Sequence, residues 1–429
     1  MDRRKFIGKT AAGFAAITVV PRHVLGGKGF VAANDKINLG FIGTGKQGGI
    51  LLNYFMDNCE EVVPVAACDV YKVKLNKFTT QAKKVLEKKG LQNVVLKTTE
   101  FYREILENPE IDAVVIATPD HWHAQVAVDA AKAGKDIYCE KPMALTVAEG
   151  RAMADATRKY NRVFQTGNMQ RSWRDFRHAV ELVRNGYIGE IKEVNVHVGD
   201  PVVQCNLPTE AVPEGLNWDM WVGPSLYQEF NSELAPPIER DIYPNWRNYR
   251  NFGGGMITDW GAHMFDIVQW ALDMDESGPV GFIPPEKAAK RGLKMVYANN
   301  VVLNHTDWGE NNAVQFIGTE GKIEVSRSFL RTYPNEKLAK AELKETDKRV
   351  YFSDNHYQDW VNAIKNRTRP ISDVETGHRT ASVCNIANIA YELQRPLLWD
   401  PAAEKFKGDN YASLMLSRPI RGKWDFTDF

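Results

Sequence analysis

The chain has 429 residues, 44% of them hydrophobic and 25% charged, which is the composition of an ordinary globular protein of two domains, or of one domain with a large insertion. Lysine plus arginine number 54 and aspartate plus glutamate 54, and this balance argues against nucleic acid or an acidic membrane surface as the main partner. The five cysteines (Cys59, Cys68, Cys139, Cys205 and Cys384) are odd in number, widely spaced and without a C-x-x-C, so neither a disulfide framework nor a cysteine metal site is expected.

At the start of the chain, Asp2-Arg3-Arg4-Lys5-Phe6-Ile7-Gly8-Lys9 precedes a mildly apolar run from Ala11 to Val20, too short to span a bilayer. This looks like a twin-arginine export signal, so the expected location is the periplasm, without stable membrane insertion. Residues 21–35 read as a linker.

The first apolar strand, Ile37 to Ile42, runs straight into Gly43-Thr44-Gly45-Lys46-Gln47-Gly48, a G-x-G-x-x-G. A second apolar run, Val62 to Cys68, ends on Asp69. Strand, glycine turn, helix, strand and acid form the layout a dinucleotide needs. The first glycine makes the tight turn, the second lets backbone N–H groups approach the pyrophosphate, and the third packs helix on strand. The pyrophosphate then lies at a helix N-terminus. Asp69 would hold the adenosine ribose hydroxyls and disfavour a 2′-phosphate, so NAD is expected over NADP.

Strand and helix keep alternating: a helix over 72–89, a buried strand over 113–117, a helix over 122–133, a strand over 137–139, and a helix to Tyr160 capped by Thr146 with Glu149 in the capping-box position. This predicts an α/β doubly wound parallel sheet over 36–160. Beyond Gln165 the pattern changes. A helix over 176–185 and a half-buried strand over 191–198 precede a Pro-, Asn- and Trp-rich stretch, 200–255, whose length marks it as functional or covering. A helix over 256–272, strands at 278–283, 293–304, 311–317, 320–326 and 349–353, and helices at 355–366 and 374–394 follow. They predict an α+β C-terminal domain over 161–395 with a mostly antiparallel sheet, then an irregular tail over 396–429.

Three clusters carry chemistry. Thr118-Pro119-Asp120-His121-Trp122-His123 closes the 113–117 strand at the sheet edge where dinucleotides bind. His121 and His123 invite a metal reading, but they lack further ligands nearby and no metal is expected. Glu140-Lys141-Pro142 ends the next strand, where a lysine reaches into the crevice and can shuttle a proton or donate to a substrate oxygen. In Gly253-Gly254-Gly255-Met256-Ile257-Thr258-Asp259-Trp260-Gly261-Ala262-His263, Asp259 and His263 are spaced to share one helix face. A histidine poised near neutrality serves as general base for an alcohol, with Asp259 orienting it.

Together these motifs, with FIGTEGKI at 316–323, resemble the Gfo/Idh/MocA oxidoreductases (the glucose–fructose oxidoreductase and inositol dehydrogenase family) from Ile37 to the C-terminus. The resemblance implies a Rossmann domain with NAD, and a second domain whose large open sheet often forms a dimer or tetramer interface. Lys141, Asp259 and His263 match the family's catalytic residues. Thr118 to His123, Glu140 and Asn168 match its nicotinamide-side contacts, with Gly43, Gly45, Lys46, Gln47, Gly48 and Asp69 on the rest of the nucleotide.

Asn217-Trp218-Asp219-Met220-Trp221 and Asn245-Trp246-Arg247 look like the exported, sugar-acting subgroup, with Trp246, Arg247 and Arg171 expected on substrate. The expected activity is oxidation or reduction of a ring hydroxyl of a sugar or glycoside, for instance to a 3-keto-sugar, with His263 taking the hydroxyl proton. One rival is an NAD-dependent glycosidase or lyase working by transient oxidation and elimination; that group lacks the lysine of E-K-P, which this chain keeps. A non-enzymatic sugar- or cofactor-binding protein is the other.

Overall fold

The computed structural model describes residues 36–422, 424 and 425, so the expected export signal and linker lie outside the described residues. The N-terminal half alternates β1 (Ile37–Ile42), α1 (Lys46–Asn58), β2 (Val62–Cys68), α2 (Lys72–Lys88), β3 (Lys97–Thr99), α3 (Tyr102–Glu107), β4 (Ala113–Ile116), α4 (His123–Lys132), β5 (Asp136–Cys139), α5 (Val147–Lys159) and β6 (Phe164–Thr166). Its six strands lie in the order β3-β2-β1-β4-β5-β6, all parallel. Helices cover both faces, which is why β1, β2, β4 and β5 read as nearly continuous apolar runs. The order reverses between β1 and β4, and the crevice that opens there is where a doubly wound sheet binds its ligand. The α5 cap forms as expected, with Thr146 Oγ1 accepting from the Glu149 N–H at 3.2 Å.

The C-terminal half comprises α6 (Arg174–Arg184), β7 (Ile191–His197), a long excursion with the short α7 (Trp218–Val222), α8 (Met256–Asp259), α9 (Gly261–Ala271), β8 (Gly281–Ile283), β9 (Leu293–Val296), β10 (Val302–His305), β11 (Ala313–Gly318), β12 (Lys322–Ser326), β13 (Leu330–Tyr333), α10 (His356–Asn366), α11 (Val374–Leu393), β14 (Leu397–Asp400), β15 (Lys405–Phe406) and α12 (Asn410–Leu414). Its nine strands run β13-β12-β11-β7-β10-β9-β8-β14-β15, and the pairing is antiparallel apart from β7 with β10. One face buries Val194, Leu303, Phe316 and Val325 against α6, α9 and α11. Among the described residues no helix is long and apolar enough to cross a membrane.

Several elements depart from the sequence reading. The strand expected at 349–353 is irregular because its backbone is satisfied by α6 side chains: the Val350 N–H donates to Glu181 Oε1 and Arg177 donates to the Ser353 carbonyl. The run 293–304 is a hairpin, β9–β10, turned at Asn300 with φ +66°. The tail expected to be irregular adds β14 and β15 to the sheet edge and sets Trp424 against Trp122, ring centroids 4.9 Å apart.

The helix expected over 256–272 breaks at Trp260 for a chemical reason. The Asp259 carbonyl, which an unbroken helix would give to the His263 N–H, accepts from Lys141 Nζ at 2.9 Å; His263 N–H turns to the Trp260 carbonyl instead.

The two halves interlock. Helix α10 buries Tyr357, Trp360 and Ile364 in the same core as Leu39, Phe55 and Tyr138 of the first half. The excursion builds a small core of its own from Tyr71, Trp218, Trp221, Phe230, Trp246 and Phe252. Trp218 and Trp221 stack on each other at 4.6 Å and are buried, so they pack this core, and Trp221 also lines the cavity beside it.

Candidate active site

A cavity of about 760 Å³ runs along the crevice between the halves. Its nucleotide end is built from β1, α1 and β2. Gly43 turns with φ +90°, and a side chain there would strike Ala117 and Thr118 backbone at 2.6 Å. At Gly48 a Cβ would lie 2.2 Å from the Gly43 carbonyl oxygen, so this glycine packs helix on turn and does not itself line the cavity. Gly45 differs: the nearest atom to a Cβ there is Lys74 Cδ at 4.0 Å, which leaves open space over the N-terminus of α1. That open cradle, backed by a helix N-terminus with no acidic residue in its first turn, fits a pyrophosphate.

Asp69 closes this end. One carboxylate oxygen accepts from the Thr44 N–H at 2.8 Å and the Thr44 hydroxyl at 3.0 Å, and the other accepts from the Tyr71 N–H at 2.9 Å. The excursion crosses above: Tyr243 donates to Gln47 Oε1 at 3.2 Å, and Lys46 pairs with Asp241 at 3.6 Å.

The other end lies over β4 and β5. Thr118, Pro119, Asp120, Trp122, His123, Glu140 and Lys141 all line it. Lys141 Nζ pairs with Asp259 Oδ1 at 3.1 Å, and Arg247 Nε donates to the same oxygen at 3.3 Å. Burial works against the Asp259 charge, but Lys141 and Arg247 outweigh it and hold the carboxyl below its ordinary value. Glu140 is buried and raised, although Lys141 and a bond from Gln47 at 2.8 Å oppose the rise. Burial pushes Asp120 up to about 8; Arg247 and Lys141 pull it back while Asp259 and Glu140 push with burial. Among the described residues Thr118 Oγ1 and His263 Nδ1 are buried without a partner.

His263 departs most from its expected role. Asp259 is committed to Lys141 and Arg247, and the histidine is held by Arg327, whose guanidinium donates to Nε2 at 3.1 Å. Arg327 also donates to Gln170 Oε1 and lies over the Trp260 ring at 4.7 Å. Because guanidinium only donates, Nε2 is the acceptor and the proton sits on Nδ1. Burial, then the Lys141 and Arg327 charges, drive the imidazole well below its ordinary pKa. A ring in this state is a hydrogen-bond donor with its lone pair taken, not a base poised near neutrality.

Other expected contacts lie elsewhere. Arg171 is 1% exposed and bidentate to both Asp266 and Asp275, at 2.7 to 2.9 Å, so it cannot reach a substrate; it ties α9 to the loop after it. His121 gives its Nε2 to the Trp221 carbonyl and packs between Trp221 and Phe252, outside the cavity. His123 sets Nδ1 2.8 Å from the Pro142 carbonyl and Nε2 3.0 Å from the Thr118 carbonyl, and as a neutral ring it donates to one of the two, while His121 Nδ1 is buried without a partner among the described residues. Burial lowers His121 to about 3 and His123 to about 4. Asn168 does not line the cavity; its Nδ2 fixes the Ala262 carbonyl behind His263 at 2.7 Å. Trp246 lines the cavity, but Arg247 covers one of its faces at 4.2 Å. Arg327 and Tyr243 line the cavity without having been legible in the sequence.

Residues 37–168 match the oxidoreductase family's NAD-binding Rossmann fold, and residues 197–426 match its C-terminal alpha/beta domain. Among curated proteins, a levoglucosan dehydrogenase of Pseudarthrobacter phenanthrenivorans is 34% identical over 157 residues, 37% of this chain and 39% of that protein. A glycosyl hydrolase family 109 protein of Stenotrophomonas maltophilia is 28% identical over 250 residues, 55% of this chain and 53% of that one. These alignments thus span about two fifths to one half of the relatives. The solved structure of scyllo-inositol dehydrogenase from Lactobacillus casei, with bound NAD(H) and scyllo-inositol, superimposes with a TM-score of 0.56 at 19% identity, over 85% of this chain and 99% of that one. With a glycine cradle, an acid at the end of β2 and both family domains in order, the N-terminal domain binds NAD and the chain belongs to the Gfo/Idh/MocA oxidoreductase family.

Proposed function

We propose that the protein is an NAD(H)-dependent dehydrogenase acting on a ring hydroxyl of a sugar or glycoside, with a 3-keto-sugar as the oxidised product. The observation that carries this reading is the Lys141–Asp259 pair, set at the end of β5 in the same cavity as the glycine cradle. When bound, NAD supplies two-electron redox chemistry at its nicotinamide ring. Lys141 carries the proton to and from the substrate oxygen, and Asp259 and Arg247 fix the lysine's position. His263 lines the same cavity beside Lys141, its ring held in place by Arg327. Arg247 supplies further donors, and the excursion excludes water from above.

A second reading, glycoside cleavage by transient oxidation and elimination, is favoured by the family 109 relative. Lys141 weighs against it. Purified protein screened against free sugars, inositols and aryl glycosides separates the readings: release of a keto-sugar with NADH supports the dehydrogenase, whereas cleaved glycoside without net NADH supports the second. No turnover of any polyol, with nucleotide bound, would leave a binding protein instead.

The basic start of the chain supports export by the twin-arginine route, which carries folded proteins and so suits a nucleotide acquired in the cytoplasm. Native protein from the periplasm should release close to one nucleotide per chain on denaturation. The nine-stranded sheet carries a polar ladder of Asn304, Asn195, Gln315 and Glu324 away from its core, and this face suits a second copy in a dimer or tetramer.

A further inference from the structure

Asp120 and Glu140 are carboxyls of the cavity cluster that the proposed chemistry leaves without a task, and of the two Asp120 has no hydrogen-bond donor among the described residues. It is 4% exposed, lines the cavity, and accepts no hydrogen bond from any described residue. Glu140, its neighbour, accepts from Gln47 and from the Lys141 N–H, and Asp259 accepts from Lys141 and Arg247. A buried carboxyl without a donor is costly in either form unless a ligand completes it.

Its place in the fold says which part of the ligand it faces. A dinucleotide whose pyrophosphate lies on the N-terminus of α1, and whose adenosine ribose reaches Asp69 at the end of β2, runs its other half over the ends of β4 and β5. Asp120 stands directly after β4, and so faces the nicotinamide half. That ring carries a positive charge when oxidised and none when reduced.

We propose that Asp120 is the charge partner of the nicotinamide ring, ionised beside the cationic oxidised form and protonated beside the neutral reduced form. The step at Asp120 is a protonation only: an O–H bond forms at its carboxylate with a proton from solvent, and no electrons move there. The surrounding charges leave room for such a switch. Lys141 and Arg247 favour the anion, Glu140 and Asp259 oppose it, and the flanking His121 and His123 are neutral. Burial and these neighbours set the carboxyl's midpoint at about 8 in the chain without nucleotide. The inference uses the NAD binding of the N-terminal domain and none of the sugar chemistry.

The test incubates the full chain with an excess of NAD and NADH in equal amounts from pH 6.5 to 9.5, removes free nucleotide, denatures the protein and quantifies what was bound. Below the midpoint the carboxyl is protonated; raising the pH ionises it and favours the cationic ring. The bound ratio of oxidised to reduced nucleotide should rise by about tenfold across that range, the change expected when the two forms shift one coupled group by one pKa unit. In Asp120→Asn, which keeps the shape of the protonated acid, the ratio should be flat; in Glu140→Gln the rise should persist. Should the Asn variant fail to hold nucleotide, Asp120→Glu must retain the rise. A flat ratio in the unaltered chain, a rise that survives Asp120→Asn, or a flat ratio in Asp120→Glu would each overturn the proposal.

Discussion

The two ends of the cavity are built on opposite plans. At the nucleotide end the acid is already paired: Asp69 accepts three bonds, two of them from Thr44, before any ligand arrives. At the other end, among the described residues, Thr118 Oγ1 and His263 Nδ1 are buried without partners and the buried Asp120 accepts no hydrogen bond. A finished scaffold holds its shape alone and offers a fixed cradle. An unfinished one waits for the substrate and ring to complete it, which is where chemistry needs its groups free.

Changes at the unfinished end should therefore cost turnover while sparing the fold. Lys141→Ala should lower turnover by roughly two to four decades, the range for losing an acid–base group, while nucleotide binding survives. Single-turnover rates beside nucleotide titrations would check this; equal losses in both would erase the distinction between the ends.

At the finished end two neighbouring glycines should behave differently. Gly48→Ala forces its methyl onto the Gly43 carbonyl, so it should lower stability by about 1–3 kcal/mol as well as nucleotide affinity. Gly45→Ala meets nothing closer than 4.0 Å and should melt normally, yet lose on the order of tenfold or more in NAD affinity because its methyl fills the cradle. Melting curves with and without NAD read both effects, and matching behaviour of the two variants would remove the cradle from Gly45.

A smaller effect, on the order of tenfold in turnover, is expected for Arg327→Ala. Removing that cation frees His263 Nε2 and raises the imidazole's pKa, so the ring protonates as pH falls and an acid limb should enter the pH–rate profile. An unchanged profile would show that the arginine does not govern the ring. Asp69→Ala should have the mildest effect on turnover, weakening NAD several-fold and narrowing its margin over NADP, which comparative binding of the two nucleotides would measure.

What could be read from the sequence follows the same division. The glycine turn, the acid after β2 and the lysine after β5 are local demands of backbone geometry, so short stretches of chain display them. Pairings between distant residues are not displayed. Arg171 reads as a free cation until Asp266 and Asp275 are folded against it, and His263 reads as a base until Arg327 arrives from the β12–β13 hairpin. The break at Trp260 has the same origin, since the lysine that diverts the Asp259 carbonyl lies more than a hundred positions earlier. The tryptophans of the excursion were ambiguous for another reason: side-chain type alone does not distinguish a sugar platform from a small core that needs large rings.

Helix α10 has a consequence for the order in which the molecule is made. Phe55 meets Tyr357 at 5.1 Å and Trp360 at 5.3 Å, and Tyr138 meets Trp360 at 5.8 Å. A ribosome that has released the whole NAD-binding sheet has not yet made the residues that cover one of its faces. The nascent sheet thus waits, with aromatic surface open, through the synthesis of most of the substrate half, and contacts this remote in sequence are slow to form. Residues 36–168 expressed alone, which keep all six strands, should expose that face and aggregate, and adding a peptide of residues 355–367 in trans should restore solubility.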